Sequence, residues 1–252
     1  MTVREKIALI GSAPSSVRLA PYGDEEWDIW GCSPAAAQAA SRVSAWFELH
    51  RWTPGVAPIA REYVDFLAAF PTAHPVYMQR PVKEVPASVA YPKDRMLKYF
   101  GRYFFTSSLA WMMALAITRD PQPKEIGIWG VDMATTEEWG EQRPGCQYFL
   151  EIARAAGIKV TLPPESLLNQ PPPLYGYDTS DALSVQAAAH REQLVAQMMG
   201  AQFQKAQAEK NESYFKGCLD VHQLYTSMRG IGEESQSDSK PSLEVVVSRF
   251  AR

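Results

Sequence analysis

The sequence predicts an α/β protein: a mostly parallel sheet with helices on both faces, followed by a C-terminal α-helical, coiled-coil-like extension. Three observations predict it. Short apolar runs alternate with helix-length segments from about residue 7 to residue 168, the pattern of crossover units in a sheet covered on both sides. The first run, Ile7-Ala8-Leu9-Ile10, passes directly into Gly11-Ser12-Ala13-Pro14-Ser15, which reads as a buried strand feeding a tight turn. At Gln170-Pro171-Pro172-Pro173 the composition shifts to a stiff spacer and then to an Ala/Gln/Lys/Glu-rich stretch.

After the turn, residues 17–20 begin a short helical or irregular segment. Trp27-Asp28-Ile29-Trp30-Gly31-Cys32-Ser33 is a second strand ending in small residues. Residues 35–40 are alanine-rich and helical. Ala45-Trp46-Phe47-Glu48-Leu49-His50 is a third strand with a polar exit. Ile59, Tyr63, Phe66, Leu67 and Phe70 have helical spacing. Residues 75–78 form a short strand, followed by an irregular, proline-punctuated stretch over 81–92. A helix over 109–118 is apolar nearly all round, which marks it as buried. Thr106 is its expected N-cap, with Ser107 and Ser108 as rivals, and Asp120-Pro121-Gln122-Pro123 stops it. A strand over 125–133 ends in Gly130-Val131-Asp132. The helix over 146–156 has Gly157 as its C-terminal glycine. Ile158 to Leu162 is the last strand, closed by Pro163-Pro164-Glu165-Ser166.

These elements place one domain at residues 1–169, a Pro-rich linker at 170–179 and a helical tail at 180–229. In the tail, Tyr214, Cys218, Val221, Tyr225 and Met228 are spaced 4, 3, 4, 3, a coiled-coil seam. Leu194, Met198 and Ala201 keep the same rhythm. One long helix and a hairpin turning near Lys210-Asn211-Glu212 both fit. Two heptads are marginal alone, so the seam is expected to pack on another copy or on the chain itself. Residues 230–252 are expected to be disordered through their Ser/Glu/Gly-rich part, with a short strand or nothing stable at 243–250.

A net charge of −3 gives no general attraction toward nucleic acid or an anionic membrane. Cys32, Cys146 and Cys218 are odd in number and far apart, so neither a disulfide framework nor a zinc site is expected. A reducing, cytoplasmic setting fits them. No leader and no membrane span are expected.

Gly11, Ser12, Ala13, Pro14 and Ser15 are the first candidate ligand contacts, because amides of a tight turn at a strand end can hold phosphate oxygens. A simple strand-to-helix connection would use the same residues. Neither Gly-x-Gly-x-x-Gly nor the P-loop pattern is present. Thr106, Ser107 and Ser108 account for a helix cap, and a cap is also an anion site. Asp132, at the end of a buried strand, has a ribose or metal role open to it, as well as capping. Glu137, Glu138 and Glu141 are either a solvated run or the source of a general base. His50, at the exit of the third strand, is the other candidate base. Trp27, Trp30, Trp46, Trp111 and Trp129 are read as core; Trp139 and Arg143 lie in a possible lid, Arg143 as an exposed residue or a phosphate contact.

Three blocks together resemble the bacterial sialyltransferases. The opening Ile7 to Ser15 resembles their apolar-apolar-Gly-Asn-Gly-Pro-Ser turn. Phe105-Thr106-Ser107-Ser108, the apolar helix and Glu125 to Asp132 resemble their Thr-Ser-Gly helix and Gly-Ile-Asp strand. Ala153 to Val160, with Pro164-Glu165-Ser166-Leu167-Leu168, resembles their final helix, strand and close. The MptE-like group, named for a pterin diphosphokinase, is similar in layout. The resemblance implies a Rossmann-like domain that binds a cytidine nucleotide sugar as donor. Gly11, Ser12, Ala13, Pro14 and Ser15 would line its phosphate and cytidine. Ser33 would stand where the family has Asn, Thr106 to Ser108 would point a helix N-terminus at the ligand, and Asp132 would reach the nucleotide. The helical tail is similar to those of uncharacterised phage and prophage proteins.

The sialyltransferases draw their general base from a His shortly before the final helix. Here residues 135–145 contain no His, and the four histidines (50, 74, 190 and 222) lie elsewhere. His50, Glu137 and Glu138 therefore stand as the candidate catalytic residues. The leading expectation is a nucleotide-sugar-binding, glycosyltransferase-like protein, with no firm cofactor and an open question over a divalent metal. The rivals are a non-catalytic phage or prophage protein working through its tail, and a nucleotide or pterin diphosphokinase-like enzyme.

Overall fold

The computed structural model describes residues 4–133, 138–164, 166–171, 174–177 and 180–228. Seven strands form one all-parallel sheet: β1 (Lys6–Ile10), β2 (Trp27–Cys32), β3 (Ala45–Glu48), β4 (Val76–Met78), β5 (Ser88–Ala90), β6 (Glu125–Trp129) and β7 (Lys159–Thr161). Their spatial order is β5-β4-β3-β2-β1-β6-β7. The α/β, Rossmann-like expectation is met. The chain builds outward from β1 as far as β5, then returns to lay β6 on the other side of β1. Ile10 is thus paired with Gly31 on one flank and with Trp129 on the other. The β1/β6 junction is the topological switch point, where crossovers diverge and leave a crevice at the carboxyl ends of the strands.

Alternation along β1 shows why both faces are covered. Ile7 and Leu9 enter one core and Ala8 and Ile10 the other, and all four are completely buried. The first core lies beneath α3 (Lys93–Phe100), α4 (Ser108–Ile117) and α5 (Arg143–Ala155). The second lies beneath α1 (Pro34–Ala39) and α2 (Arg61–Ala68), where Trp46 donates its indole N–H to the Tyr63 hydroxyl at 2.7 Å. In α4 every side chain from Leu109 to Ile117 except Trp111 is buried, as an apolar, Ala-rich helix at the centre of a layer requires.

The structure departs from the sequence reading in two places and decides a third. Residues 81–92 contain β5, a three-residue edge strand hidden among prolines, and α3 follows it directly. Of the two alternatives left open for the tail, the single helix is observed, α6 (Ser180–Met228), with no turn near Lys210. Trp111 is only half-buried and lines two cavities, so it is a surface feature as well as a packing one. Residues 229–252, read as disordered or a short strand, lie outside the described residues. The chain divides into two compact units, Met1–Pro172 and Pro173–Arg252. No helix among the described residues is long and apolar enough to cross a membrane.

Candidate functional site

A cavity of about 660 Å³ opens at the switch point. Its floor is where β1 and β6 end. There the chain cannot carry side chains: a Cβ on Gly11 would stand 2.4 Å from the Gly130 carbonyl oxygen, and one on Gly130 2.6 Å from that of Gly11. Gly130 also has φ +67°, a left-handed conformation that glycine adopts without penalty. The two strand ends are tied by Gly11 N–H to Trp129 C=O at 2.9 Å and Ala13 N–H to Gly130 C=O at 2.7 Å. Those bonds occupy two amides of the turn. Ser12 and Ser15 keep amides with no acceptor among the described residues.

The turn is not uniformly a ligand wall. Gly11, Ser12, Ala13 and Pro14 line the cavity. Ser15 is not among the lining residues; its hydroxyl donates to Asp132 Oδ1 at 2.7 Å and so braces that carboxylate against the turn. Ser16 is buried, and its Oγ accepts the Gly130 N–H at 2.9 Å, so it belongs to the frame.

Ser107 is the N-cap of α4, accepting the Ala110 N–H at 3.2 Å. This settles the rivalry among the three hydroxyls, all of which line the cavity. The first-turn amides of Ser108 and Leu109 are left unpaired by the cap and carry the positive end of the helix dipole. Opposite, β3 ends in Glu48 and is followed by His50. The Glu48 side chain is only 1% exposed, yet it lines the cavity. Its Oε1 accepts the His50 backbone N–H at 2.9 Å and lies 2.7 Å from Nδ1. That hydrogen bond, with the carboxylate's charge, holds the His50 imidazole above its ordinary pKa of 6.5 against the opposing effect of burial. Nδ1–H donates to Glu48, which leaves the Nε2 lone pair to accept a proton.

Ser33, immediately after β2, has φ 78° and ψ 147°, a region close to glycine's own and costly for serine. Its Oγ is buried without a hydrogen-bond partner and the residue lines the cavity. Strain and an unsatisfied hydroxyl at one residue are the marks of a position held for a ligand. Ser33→Gly is expected to raise the stability of the unliganded protein by about 1 kcal/mol, since relief of about 1–3 kcal/mol of strain exceeds the roughly 0.5–1 kcal/mol entropic cost of glycine. The same change deletes a hydroxyl that lines the cavity, and a ligand that uses it should bind about tenfold more weakly. Urea denaturation and calorimetry check the two halves; lowered stability with unchanged affinity would reverse the assignment.

Of the candidate residues, the cavity brings together Gly11, Ser12, Ala13, Pro14, Ser33, His50, Thr106, Ser107, Ser108, Asp132 and Glu138. Glu137 lies outside the described residues, as does the side chain of Trp139. Glu141 is exposed and is not among the lining residues. Arg143 is not exposed, and it is not among the residues that line the cavity. It is buried, donating through Nε to the Leu167 carbonyl at 3.1 Å and through Nη2 to that of Gln170, and it fastens the end of the domain to α5. Glu48 was missed as a site residue. The period of a strand puts residues two apart on one face, so Glu48 and His50 were legible as a pair.

Lysine and arginine do not occur among the lining residues, which instead include the carboxylates Glu48, Asp132 and Glu138. The groups there that could face an anion are amides, hydroxyls and a helix end. No group of three or more His, Cys, Asp or Glu side chains placed to hold a metal occurs among the described residues.

The fold and site define an α/β protein with a polar ligand cavity at the switch point of a parallel sheet. No protein-family description matches the sequence, and no curated protein does. Among solved structures the chain is similar to a thiamine pyrophosphokinase from Bacillus subtilis, with 15% identity and a TM-score of 0.39 over 63% of this chain. It spans 60% of that protein's length.

Proposed function

We propose that the chain binds a cytidine nucleotide sugar and transfers the sugar to an acceptor hydroxyl, as a glycosyltransferase of the sialyltransferase-like class. The observation that carries this reading is the convergence of the turn, the α4 cap, Asp132 and the Glu48–His50 pair on one cavity. Its lining favours a single phosphate. A donor linked through one phosphodiester brings one negative charge, which oriented amides can hold; a diphosphate brings two and normally recruits a cation.

In the reaction, the acceptor hydroxyl attacks the anomeric carbon of the donor. His50 Nε2 takes its proton, and the imidazolium that forms is stabilised by Glu48. The new bond joins acceptor oxygen to sugar; the bond from sugar to phosphate oxygen breaks, and its electron pair leaves on the nucleotide. The growing phosphate charge is met by the Ser12 amide and the first turn of α4. Asp132, fixed by Ser15, receives a ribose hydroxyl.

A thermal-shift screen with CMP, CDP, UDP and their sugars tests this, because a ligand of the native state raises its melting temperature by mass action. CMP and CMP-sugars are expected to stabilise the protein and UDP-sugars to do so less. Asp132→Ala and the Ser12→Ala/Ser15→Ala pair should each lower the shift. A protein unmoved by every nucleotide at millimolar concentration would be a non-catalytic binding module.

Self-association through α6 belongs to the same reading. Tyr214, Cys218, Val221, Tyr225 and Met228 are all exposed, and Asn211 extends the 4-3 spacing backward by one position. With Asn211, Cys218 and Tyr225 as a residues, the pattern is that of a parallel pair, in which an a-position Asn fixes the register. Mild oxidation is expected to crosslink two chains through Cys218, and Cys218→Ser to remove the crosslink. A monomer in sedimentation that yields no crosslinked dimer would contradict this.

A further inference from the structure

We infer that a second cavity, beside the first, receives the acceptor, and that the acceptor is a saccharide bearing an anionic group. This deepens the glycosyl-transfer reading and rests on it for the word acceptor. The cavity is about 670 Å³ and is lined by Leu49, Gln79, Tyr91, Pro92, the first turn of α3 and Trp111. Its place follows from two short stretches of chain. Leu49 lines it, while the residues on either side, Glu48 and His50, line the first cavity; adjacent Cα atoms are about 3.8 Å apart. Trp111 lies one helical turn beyond Ser108, which lines the first cavity. The two cavities share no lining residue but are joined through Leu49, which follows Glu48 and precedes His50 in the chain, and we place the acceptor hydroxyl at this junction.

The chemistry of the two cavities is complementary. Lys and Arg do not occur in the lining of the first. The second has Lys93 and Arg95, with Asp94 the one carboxylate among its lining residues, 3.8 Å from the Lys93 ammonium. That pairing leaves the Arg95 guanidinium, exposed and engaged in no hydrogen bond or ion pair among the described residues, as the cation facing the opening. These residues begin α3, eight residues long, whose dipole also favours an anion at this end. A further cavity of about 640 Å³ shares Lys93 and Trp111 and adds Arg102, so positive charge continues along the groove.

The floor suits a sugar ring. Tyr91 and Trp111 meet edge to face at 5.2 Å, and the Tyr91 hydroxyl donates to the Trp111 carbonyl at 2.7 Å, so the aromatic pair is fixed. Phe105 stacks on Trp111 at 3.8 Å and supports it. Gln79 donates to the Leu49 carbonyl at 2.8 Å and holds the rim to the strand that carries the base. An apolar platform with convergent cations binds a ring through its C–H face and a carboxylate or phosphate through Arg95.

Calorimetric titration of the full chain with glucuronic acid, glucose 6-phosphate and glucose tests the proposal, with CMP titrated in parallel. Binding of at least one anionic sugar, with glucose at least tenfold weaker, is expected. The two anionic sugars tell a carboxylate acceptor from a phosphorylated one. Lys93→Ala/Arg95→Ala, at exposed positions, should lower that affinity at least tenfold and leave CMP affinity unchanged; Arg95→Glu alone should act in the same direction. Equal binding of glucose, or an unaltered affinity in the double variant, would overturn the inference. A loss of CMP affinity in that variant would also overturn it, by placing these cations in the donor site. If CMP fails to bind the unaltered protein, the donor reading fails while the sugar titrations still report on this cavity.

Discussion

On the proposed glycosyl-transfer reading, His50→Ala is expected to lower the rate of transfer, or of donor hydrolysis, by about 10²–10⁴-fold, the usual contribution of a positioned general base. Affinity for CMP should stay within about twofold, because the imidazole acts on the acceptor proton and not on the nucleotide. The pH profile carries a sharper signature. Glu48 holds the His50 pKa above 6.5, and only the neutral imidazole can accept a proton. The rising limb of kcat/KM against pH is therefore expected above the ordinary histidine value. Glu48→Gln keeps the shape and removes the charge, so the limb should move to lower pH while the plateau falls. The linkage to stability has the matching sign. A pKa raised in the folded state stabilises the fold fully below the unfolded value, and that contribution is lost as pH rises through the native one. A limb that stays in place in Glu48→Gln would remove Glu48 as a partner of the base.

Gly11→Ala is expected to cost the fold about 3 kcal/mol or more, in the range kept for overpacking against atoms that cannot yield. The obstacle at 2.4 Å is the Gly130 carbonyl, backbone of the neighbouring strand, with a Val131 methyl at 2.7 Å. Relief requires β1 and β6 to part where Gly11 and Ala13 bond to Trp129 and Gly130. Lost stability should thus come with lost nucleotide binding. Gly23→Ala is the control: nothing lies within 4 Å of the added carbon, and a change within about 0.5 kcal/mol is expected. Chemical denaturation of the two variants checks both statements.

What could be read in the sequence followed from burial. β1, β6 and α4 are continuous apolar runs because they are covered on all sides, and covered segments leave an unmistakable pattern. Their carboxyl or amino ends then had to converge, which brought Gly11, Ser107 and Asp132 to one place. Short, half-exposed elements leave no such pattern. β5 contributes three residues with one partly buried position, too few for a period of two to register. α3 carries a single fully buried residue, Met96, with Leu97 and Phe100 only partly covered and charged residues around them. The second cavity is built from Tyr91 and Pro92, which join those two elements, from the first turn of α3 and from Leu49, Gln79 and Trp111, so it left no pattern for the same reason. Arg143 shows the opposite limit: a lid arginine looks exposed until the Leu167 and Gln170 carbonyls that fold back on it are known.

The outermost strands of the sheet, β5 and β7, have three residues each. Pro86 and Pro92 flank the first and Pro163 and Pro164 follow the second, so each rim offers a short run of free backbone groups that ends at residues unable to donate. Neither rim can template a growing ribbon of strands, and two copies gain little by joining sheets edge to edge. Among the described residues, then, the edges of the sheet are poor places for one copy to add to another, and the strand ends that carry the cavity lie apart from those edges at β1 and β6.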